Sequence, residues 1–186
     1  MSESTMCEVT VASLGLDRTS GAPIVILKEK EGERILPIWI GPGEASAIAM
    51  ELAGVRFARP LTHDLFTAVV RGLGSAFVRA LITKVIDNTY YASLVFRRNG
   101  EFISIDSRPS DSIALALRAE APIYAEEGLL ETSPLGIAEG GLEDPAEDPA
   151  DDPQGVSETG EVASSEEALS DYLKNLDPED FGRFEP

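Results

Sequence analysis

The sequence predicts an α+β domain followed by an acidic tail, and three features support this. Segments rich in Val and Ile, which are typical of β-strands, occur within residues 7–40 and again within 77–106. Three apolar runs at helical spacing each begin near a Gly-Pro or Arg-Pro dipeptide. After residue 133 the chain is acidic and rich in Gly and Pro, with too little apolar surface to fold alone. We therefore predict a mixed sheet with duplicated strand–helix units, in the order βββ-α-α-βββ-α-β, plus a disordered acidic tail.

The first half of the predicted domain contains three strands and one helix. "CEVTVASLGL", "PIVILKEK" and "ILPIWI" are the strand-like segments, separated by turn-forming residues. "GPGEASAIAMELAGV" has the features of a helix, with Pro42 in the first turn, Glu44 near the positive end and Gly54 as the stop. The apolar stripe expected to face the core is Ala45, Ile48, Ala49 and Leu52.

The second half begins with another helix, which Thr62 is predicted to cap. A three-strand meander follows, "FVRALITKVID", "YYASLVFRR" and "EFISID", with turns near 87–88 and at Asn99-Gly100, a dipeptide that favours a type I′ hairpin. The third helix is expected from about Ser110 to Ala119, and "PIYA" forms a closing strand. The buried face of the Thr62 helix is predicted to be Leu65, Phe66, Val69, Val70 and Leu73.

The tail divides into two predicted segments after a folded domain at residues 1–131. Residues 132–163 form a disordered acidic linker. Residues 164–186 form a short amphipathic helix and the C-terminal end, because Ser164 and Glu167 make a capping box. The helix at 164–176 is expected to dock onto a protein partner or the chain itself through Leu169, Tyr172, Leu173 and Leu176.

The charge and cysteine content indicate the kind of protein and its compartment. Residues 1–130 contain 16 Asp and Glu against 13 Lys and Arg, whereas residues 131–186 contain 17 against 2. The domain therefore has no general attraction for nucleic acid. Cys7 is the single cysteine, so no disulfide within the chain is possible. The sequence has no signal-peptide pattern and no membrane-spanning apolar segment, so we expect a soluble, cytoplasmic protein.

Two short segments contain the candidate catalytic and phosphate-binding residues: "RPLTHDLF" at 59–66 and "RPSDSIALALR" at 108–118. The start of a helix beside an arginine is a natural phosphate site. A carboxylate in the same turn repels phosphate unless a divalent cation lies between them. The combination of Arg, Asp and His is therefore compatible with phosphodiester hydrolysis assisted by Mg²⁺ or Mn²⁺.

A purely structural interpretation explains the same residues. Thr62 and Ser110 are ordinary helix caps, and Asp64 and Asp111 favour the helix dipole while pairing with the preceding arginines. The "IGPGEA" turn at 40–45 lacks the Gly-Lys-Ser/Thr ending of a P-loop, so it is consistent with a simple strand-to-helix turn.

Three segments together resemble the bifunctional nuclease domain family: "LPIWIGPGEASAIAMELAG", "RPLTHDLF" and "IDSRPSDSIALALRAEAPIYAEEGLL". The resemblance covers about residues 5–131, and the long acidic tail resembles extensions of actinobacterial members. It implies an α+β domain with a duplicated strand–helix arrangement, often self-associating, and an activity toward DNA and RNA. The family pattern falls on Gly41, Glu44, Ala45, Arg59, Pro60, Thr62, His63, Asp64, Asp106, Arg108, Pro109, Ser110 and Asp111.

Two functional hypotheses follow from these observations. In the first, the protein is a nuclease of low sequence preference; its catalytic residues Glu44, His63, Asp64, Asp106, Arg108 and Asp111 converge, and Gly41, Arg59, Thr62 and Ser110 bind substrate. His63 and Asp111 then share one site although 48 positions separate them. In the second, the protein is a non-catalytic oligomeric module that acts through protein partners. The predicted domain has no excess of Lys and Arg and no evident aromatic stacking platform, which argues against the first hypothesis. The family resemblance nevertheless makes the nuclease the leading hypothesis.

Overall fold

A computed structural model describes residues 5–17 and 20–130 of the chain. The order of its elements is βββ-α-α-βββ-α-β, as the sequence predicts, followed by a short 3₁₀-helix at Glu127–Leu129. The strands are β1 (Met6–Leu16), β2 (Pro23–Glu29), β3 (Ile35–Trp39), β4 (Ser75–Ile86), β5 (Thr89–Arg98), β6 (Glu101–Ser107) and β7 (Ile123–Glu126). The helices are α1 (Pro42–Leu52), α2 (Thr62–Gly72) and α3 (Pro109–Ala119).

All seven strands form one mixed sheet in the order β3-β2-β1-β7-β4-β5-β6. Strand β7 pairs antiparallel with β1 and parallel with β4, so it joins two antiparallel meanders into one sheet. Each meander is followed by a helix, β1-β2-β3-α1 in the first and β4-β5-β6-α3 in the second. The duplicated strand–helix arrangement is therefore confirmed, and α1 and α3 are its equivalent helices.

The main core lies between the sheet and these two equivalent helices. Ile48 of α1 and Ile113 of α3 are fully buried, and they pack with strand residues such as Val25 and Ile82. The predicted stripe of α1 is confirmed at Ala45 and Ile48, but Leu52 is exposed because the helix ends there. Gly54 has φ +65°, the left-handed conformation that stops a helix as predicted.

The predicted hairpins of the second meander are confirmed by the backbone. Asn99 and Gly100 have φ of 52° and 85°, and Asp87 and Asn88 have φ of 47° and 60°. Positive φ at both central residues is the requirement of the tight turn that joins twisted antiparallel strands. These turns fix the register that aligns β5 with β6 and places the end of β6 directly before α3.

Helix α2 differs from the prediction, because its apolar face is exposed. It contains no buried residue, although Val70 packs against a small cluster beneath it. Helical periodicity identifies an apolar stripe but does not show whether another part of the protein covers it. In this chain α3 is the helix that is buried against the sheet, and the stripe of α2 remains exposed. The prediction of a buried face was therefore wrong for the exposed residues Leu65, Phe66, Val69 and Leu73.

The predicted caps were also wrong in detail. Helix α2 has Leu61 as its N-cap, and α3 has Arg108, so Thr62 and Ser110 already lie inside the first turns. Asp64 supplies the capping interaction of α2, since its Oδ2 accepts a hydrogen bond from the Leu61 N–H at 2.9 Å. This is one half of a capping box, in which the side chain of the third helical residue accepts from the N–H of the cap residue.

None of the helices in the described part of the chain is long and apolar enough to cross a membrane. The predicted linker at 132–163 and helix at 164–176 lie outside the described residues. The domain boundaries at 131 and 163 stay predictions.

Candidate active site

A cleft of about 560 Å³ opens between α2, the start of α3 and the strands β5 and β6. It lies where β6 ends and α3 begins, so residues from both Arg-Pro segments reach it. Of the ten predicted site residues, the five that line it are Thr62, His63, Asp106, Arg108 and Asp111. Its remaining lining residues are Phe66, Thr89, Tyr90, Tyr91, Leu94, Ile105, Ser107 and Leu115.

His63 and Asp111 meet at the wall of this cleft. The His63 Nε2 atom lies 3.3 Å from Asp111 Oδ1, so the two side chains are in contact, as a shared site requires. A catalytic role for the pair stays a prediction. Both side chains are partly buried, with 18% of His63 and 31% of Asp111 exposed. A half-buried carboxylate beside an imidazole fixes the orientation and the tautomer of the ring.

Arg108 links the start of α3 to the start of α1. Its Nε and Nη2 donate to the two oxygens of Asp111 at 2.8 and 3.2 Å, and its Nη1 donates to Glu44 Oε1 at 2.7 Å. The geometry with Asp111 is bidentate, which makes the pair stronger than a single charged hydrogen bond. Arg108 remains 65% exposed, so its guanidinium is accessible from solvent.

The contacts of Asp111 lower its pKa. The hydrogen bond from His63 is the largest cause, and the hydrogen bond and positive charge of Arg108 add to it. Together they outweigh the effect of burial and bring the pKa of Asp111 to about 2. Asp111 is therefore ionised at neutral pH and serves as an acceptor rather than as an acid.

Glu44 depends on Gly41 for its position. Gly41 is the N-cap of α1, and a Cβ added there would collide with Oε2 of the Glu44 side chain. The absence of a side chain at position 41 lets the carboxylate fold back over the first turn, where it meets Arg108. Gly41 thus has a positioning role, and neither residue lines the cleft itself.

Asp64 belongs to a second cluster, behind α2. Its Oδ1 accepts a hydrogen bond from the Nε of Arg118 at 2.7 Å, and it lines a separate cleft of about 370 Å³. Burial opposes ionisation of Asp64, but hydrogen bonds from the Leu61 N–H and from Arg118 outweigh it and lower its pKa. Asp64 therefore holds α2 against α3, and it does not converge with His63 and Asp111.

The remaining predicted residues are distributed as follows. Asp106 is exposed at the end of β6, and no hydrogen bond or ion pair in the described structure joins it to the His63 cluster. Ser110 is buried, with 7% exposed, under the first turn of α3. Arg59 is exposed beside α2 and makes no described contact with Asp64, so the expected pairing of Asp64 with the preceding arginine was wrong. The helix equivalent to α3 is α1, where Pro42 and Glu44 take the places of Pro109 and Asp111.

The expected Mg²⁺ or Mn²⁺ does not fit the cluster as it stands. Within residues 5–17 and 20–130, no three His, Cys, Asp or Glu side chains are grouped so as to hold a metal ion. Glu44 and Asp111 both accept from Arg108, so a cation would have to displace the guanidinium to reach them. The requirement for a divalent metal stays a prediction.

Sequence reasoning missed Arg118 and the aromatic wall of the cleft. Arg118 is only 5% exposed and donates to Asp64, to the carbonyl of Ala114 and to the carbonyl of Ala47. The signal for it was an arginine in the last turn of an otherwise apolar helix. Tyr90 and Tyr91 lie near the start of β5. The alternation of residues along the strand did not indicate that they line the same cleft as His63.

Comparisons with known proteins show the family of the chain. The bifunctional nuclease domain matches residues 25–137, a range that contains every predicted site residue. An uncharacterized protein of Mycobacterium tuberculosis is 39% identical over 176 residues, which are 95% of this chain and 98% of that protein. Bifunctional nuclease 1 of Arabidopsis thaliana is 29% identical over 129 residues, which are 67% of this chain and 40% of the plant protein. Bifunctional nuclease 1 of Oryza sativa subsp. japonica is 26% identical over 119 residues, 62% of this chain and 36% of the rice protein. The chain therefore belongs to the bifunctional nuclease domain family.

Proposed function

We propose that the cleft is the active site of a nuclease that hydrolyses phosphodiester bonds in single-stranded DNA, RNA or both, with little sequence preference. The observation that carries the proposal is the meeting of His63, Asp111 and Arg108 at one cleft wall. Family membership adds support, because the plant relatives carry the name bifunctional nuclease.

In this proposal His63 takes a proton from the attacking water. When the ring proton is on Nε2, this N–H donates a hydrogen bond to Asp111, and the unprotonated Nδ1 is free to accept a proton. Asp111 holds that tautomer and stabilises the imidazolium that forms. The water oxygen bonds to phosphorus as its proton passes to Nδ1. The leaving oxygen then departs and takes up a proton from the imidazolium or from solvent.

Arg108 would bind the phosphate. An arginine has five N–H donors, and the contacts within the described part of the chain use three of those of Arg108. Two donors therefore remain for phosphate oxygens. With His63 neutral, the cluster of Glu44, Asp111, Arg108 and His63 has a net charge of about −1, which opposes an anion. Protonation of His63 or a bound cation would offset this charge.

The aromatic side chains of the cleft support the proposal of a single-stranded substrate. Phe66, Tyr90 and Tyr91 line the same cleft as His63 and Asp111. Bases stack on such rings once they have left a duplex, and stacking tolerates every base. The volume of about 560 Å³ also lies in the usual range for sites that hold a small ligand. The nearly balanced charge of the domain gives no extended basic track for a duplex.

A non-catalytic binding or regulatory module is the second candidate, and the ion pairs favour it. Glu44, Asp64 and Asp111 occupy the same position in the first turns of α1, α2 and α3. Each of them accepts a hydrogen bond from an arginine, which is sufficient to explain a purely structural role. Such a module would bind partners through the exposed apolar residues of α2 and β6.

Cleavage of labelled single-stranded DNA and RNA by the purified full chain separates the two candidates. We expect His63→Gln and Asp111→Asn to lower the cleavage rate at least about 100-fold. Asp64→Asn is the matched control, because Asp64 has the same helical position but faces the other cleft. Its rate per folded molecule should remain within a few-fold of the unmodified chain.

Two results would support the regulatory module instead. One is that Asp64→Asn and Asp111→Asn lose cleavage to the same extent, and that each loss matches the fraction of the variant that is unfolded. The other is no cleavage by the unmodified chain, either with added Mn²⁺ or without it. Cleavage that persists in excess chelator would remove the metal from the reaction.

A further inference from the structure

Helix α2 carries an apolar stripe that no helix or strand in the described part of the chain buries. Leu65, Phe66, Val69 and Leu73 are exposed, by 53%, 40%, 49% and 62%. Their spacing places them along one side of the helix. A continuous exposed apolar stripe of this kind marks a surface that another segment or molecule contacts.

Three arginines lie at the two ends of this stripe. Arg59 precedes α2, and Arg71 is in its last turn. Arg98 pairs with Ser75, three residues beyond the helix, and it shares the sheet face on which Phe96 packs against α2. All three arginines are exposed, and among residues 5–17 and 20–130 none of them has an ion-pair partner. The surface is therefore basic at both ends and apolar between them.

The chain contains a segment with the complementary pattern, at residues 164–180, outside the described residues. Its apolar residues at helical spacing are Leu169, Tyr172, Leu173 and Leu176. Acidic residues stand on both sides of them, namely Glu166, Glu167, Asp177, Glu179 and Asp180. A helix over 164–176 would be about 20 Å long, and the 11 residues of α2 span about 16 Å.

We propose that residues 164–180 dock on the exposed stripe of α2 in the same molecule. The two apolar stripes meet, and the acidic ends of the segment lie beside Arg59 at one end and beside Arg71 and Arg98 at the other. The α2 helix of a second copy fits less well, because it would bring arginines against arginines. Phe66 also lines the cleft of His63, so the docked segment borders its entrance. The docking does not depend on cleavage activity.

The linker is long enough for this contact. The described structure ends at residue 130, and the 33 residues from 131 to 163 separate it from the segment. A chain of that length spans about 30 Å on average, which is close to the width of a domain of this size. The linker also holds the segment near α2 at an effective concentration on the order of 1 mM. A helix of 13 residues, too short to be stable alone, then gains its stability from the contact.

Disulfide trapping in the full chain tests the contact directly. In a Cys7→Ser background, Val69→Cys combined with Leu173→Cys should form a disulfide within one chain under mild oxidation. Both positions are central in their stripes, so the result does not depend on the direction of the segment. The matched control is Val85→Cys with Leu173→Cys, since Val85 is similarly exposed, 43%, but lies ten residues beyond Ser75 along β4, or roughly 30 Å away. The control pair should form its disulfide at least about 10-fold more slowly.

Charge reversal tests the role of the arginines. Arg98→Glu should slow trapping between positions 69 and 173 at least about 3-fold at low salt. Arg97→Glu is the control, because neighbouring residues of a strand point to opposite faces of the sheet, and it should leave the rate nearly unchanged. All the substituted positions of the domain except Cys7 are exposed, and thermal melting verifies that each variant is folded.

Hydrogen exchange of the full chain tests the apolar contact. Leu173→Asp should raise the exchange rates of the amides at 164–176 at least about 10-fold, because the docked segment is released. Asn175→Asp introduces the same acid off the stripe and should change these rates by less than about 2-fold.

Three results would overturn the proposal. The first is equal rates of trapping at positions 69 and 85. The second is disulfides that join two chains rather than forming within one. The third is amides at 164–176 that exchange as fast in the unmodified chain as in Leu173→Asp.

Discussion

The Nε2 atom of His63 lies 3.3 Å from Oδ1 of Asp111, although 48 positions separate the two residues in the chain. The contact exists because α2 and α3 begin at the same corner of the sheet, where β6 ends. Arg108 holds Asp111 from the opposite side, so the carboxylate lies between an imidazole and a guanidinium. The low pKa of Asp111 follows from these two donors.

Asp111 should stabilise the fold in a pH-dependent way. Its pKa is lowered to about 2 in the folded state, from about 3.9 in an unfolded chain. The stabilisation is therefore complete above about pH 4 and is lost as the pH falls toward about 2. Its size is about 1–2 kcal/mol after allowance for partial exposure. Chemical unfolding of the unmodified chain and of Asp111→Asn, from pH 5 to 2, should show this difference shrinking over that range.

The control is Asp106→Asn, a substitution of the same type in the same cleft. Asp106 is exposed and lacks described partners, so its replacement should cost less than about 0.5 kcal/mol at every pH. A difference for Asp111→Asn that stays constant down to pH 2 would show that the carboxylate is not held as described.

Arg118 should matter more for stability than any exposed arginine. It is 5% exposed and joins α3 to Asp64 of α2 and to the Ala47 carbonyl of α1. Arg118→Met leaves Asp64 without its charge partner, and we expect a loss of about 3–5 kcal/mol. Arg71→Met, at an exposed position in the last turn of α2, should change stability by less than about 0.5 kcal/mol. Equal unfolding free energies for the two variants, from urea titration, would contradict the buried role of Arg118.

Gly41→Ala should disturb the contact between Glu44 and Arg108. The added Cβ collides with the end of the Glu44 side chain, which must then move away from the guanidinium. We expect a loss of about 1 kcal/mol, including the cost of alanine at an N-cap. In a Glu44→Ala background nothing remains to collide, so the cost of Gly41→Ala should fall by at least about 0.5 kcal/mol.

Gly72→Ala is the matched control, because a Cβ at Gly72 has no neighbour within 4 Å. This substitution should leave stability unchanged or raise it slightly. Equal costs for Gly41→Ala with and without Glu44 would show that the collision is not relieved by moving that side chain.

The element order and the hairpins were predictable because their signals are local. Asn99-Gly100 determines a tight turn whatever lies around it, and Pro42 and Pro109 mark the first turns of their helices. The exposure of Leu65 and Phe66 was not predictable, since helical spacing identifies an apolar face but does not show whether another element packs on it.

The site was predictable only in part, for the same reason. His63, Arg108 and Asp111 share a cleft, as the motifs suggested, because their helices start at one corner of the sheet. Asp64 follows His63 directly in the sequence but is rotated about 100° around the helix, so it faces another cleft and pairs with Arg118. Adjacent positions in a motif therefore need not share a site.

The most direct measurement of the central claim uses the fact that His63 is the single histidine of the chain. The imidazole signals in an NMR spectrum of the full chain therefore report this cleft alone. Adding a short single-stranded oligonucleotide should shift these signals in a saturable way, and Asp111→Asn should alter both the tautomer of the ring and the response. Two results would contradict a nucleic-acid site at His63 and Asp111. In one, the oligonucleotide binds, as other signals show, but the imidazole signals stay unchanged. In the other, the oligonucleotide does not bind at all.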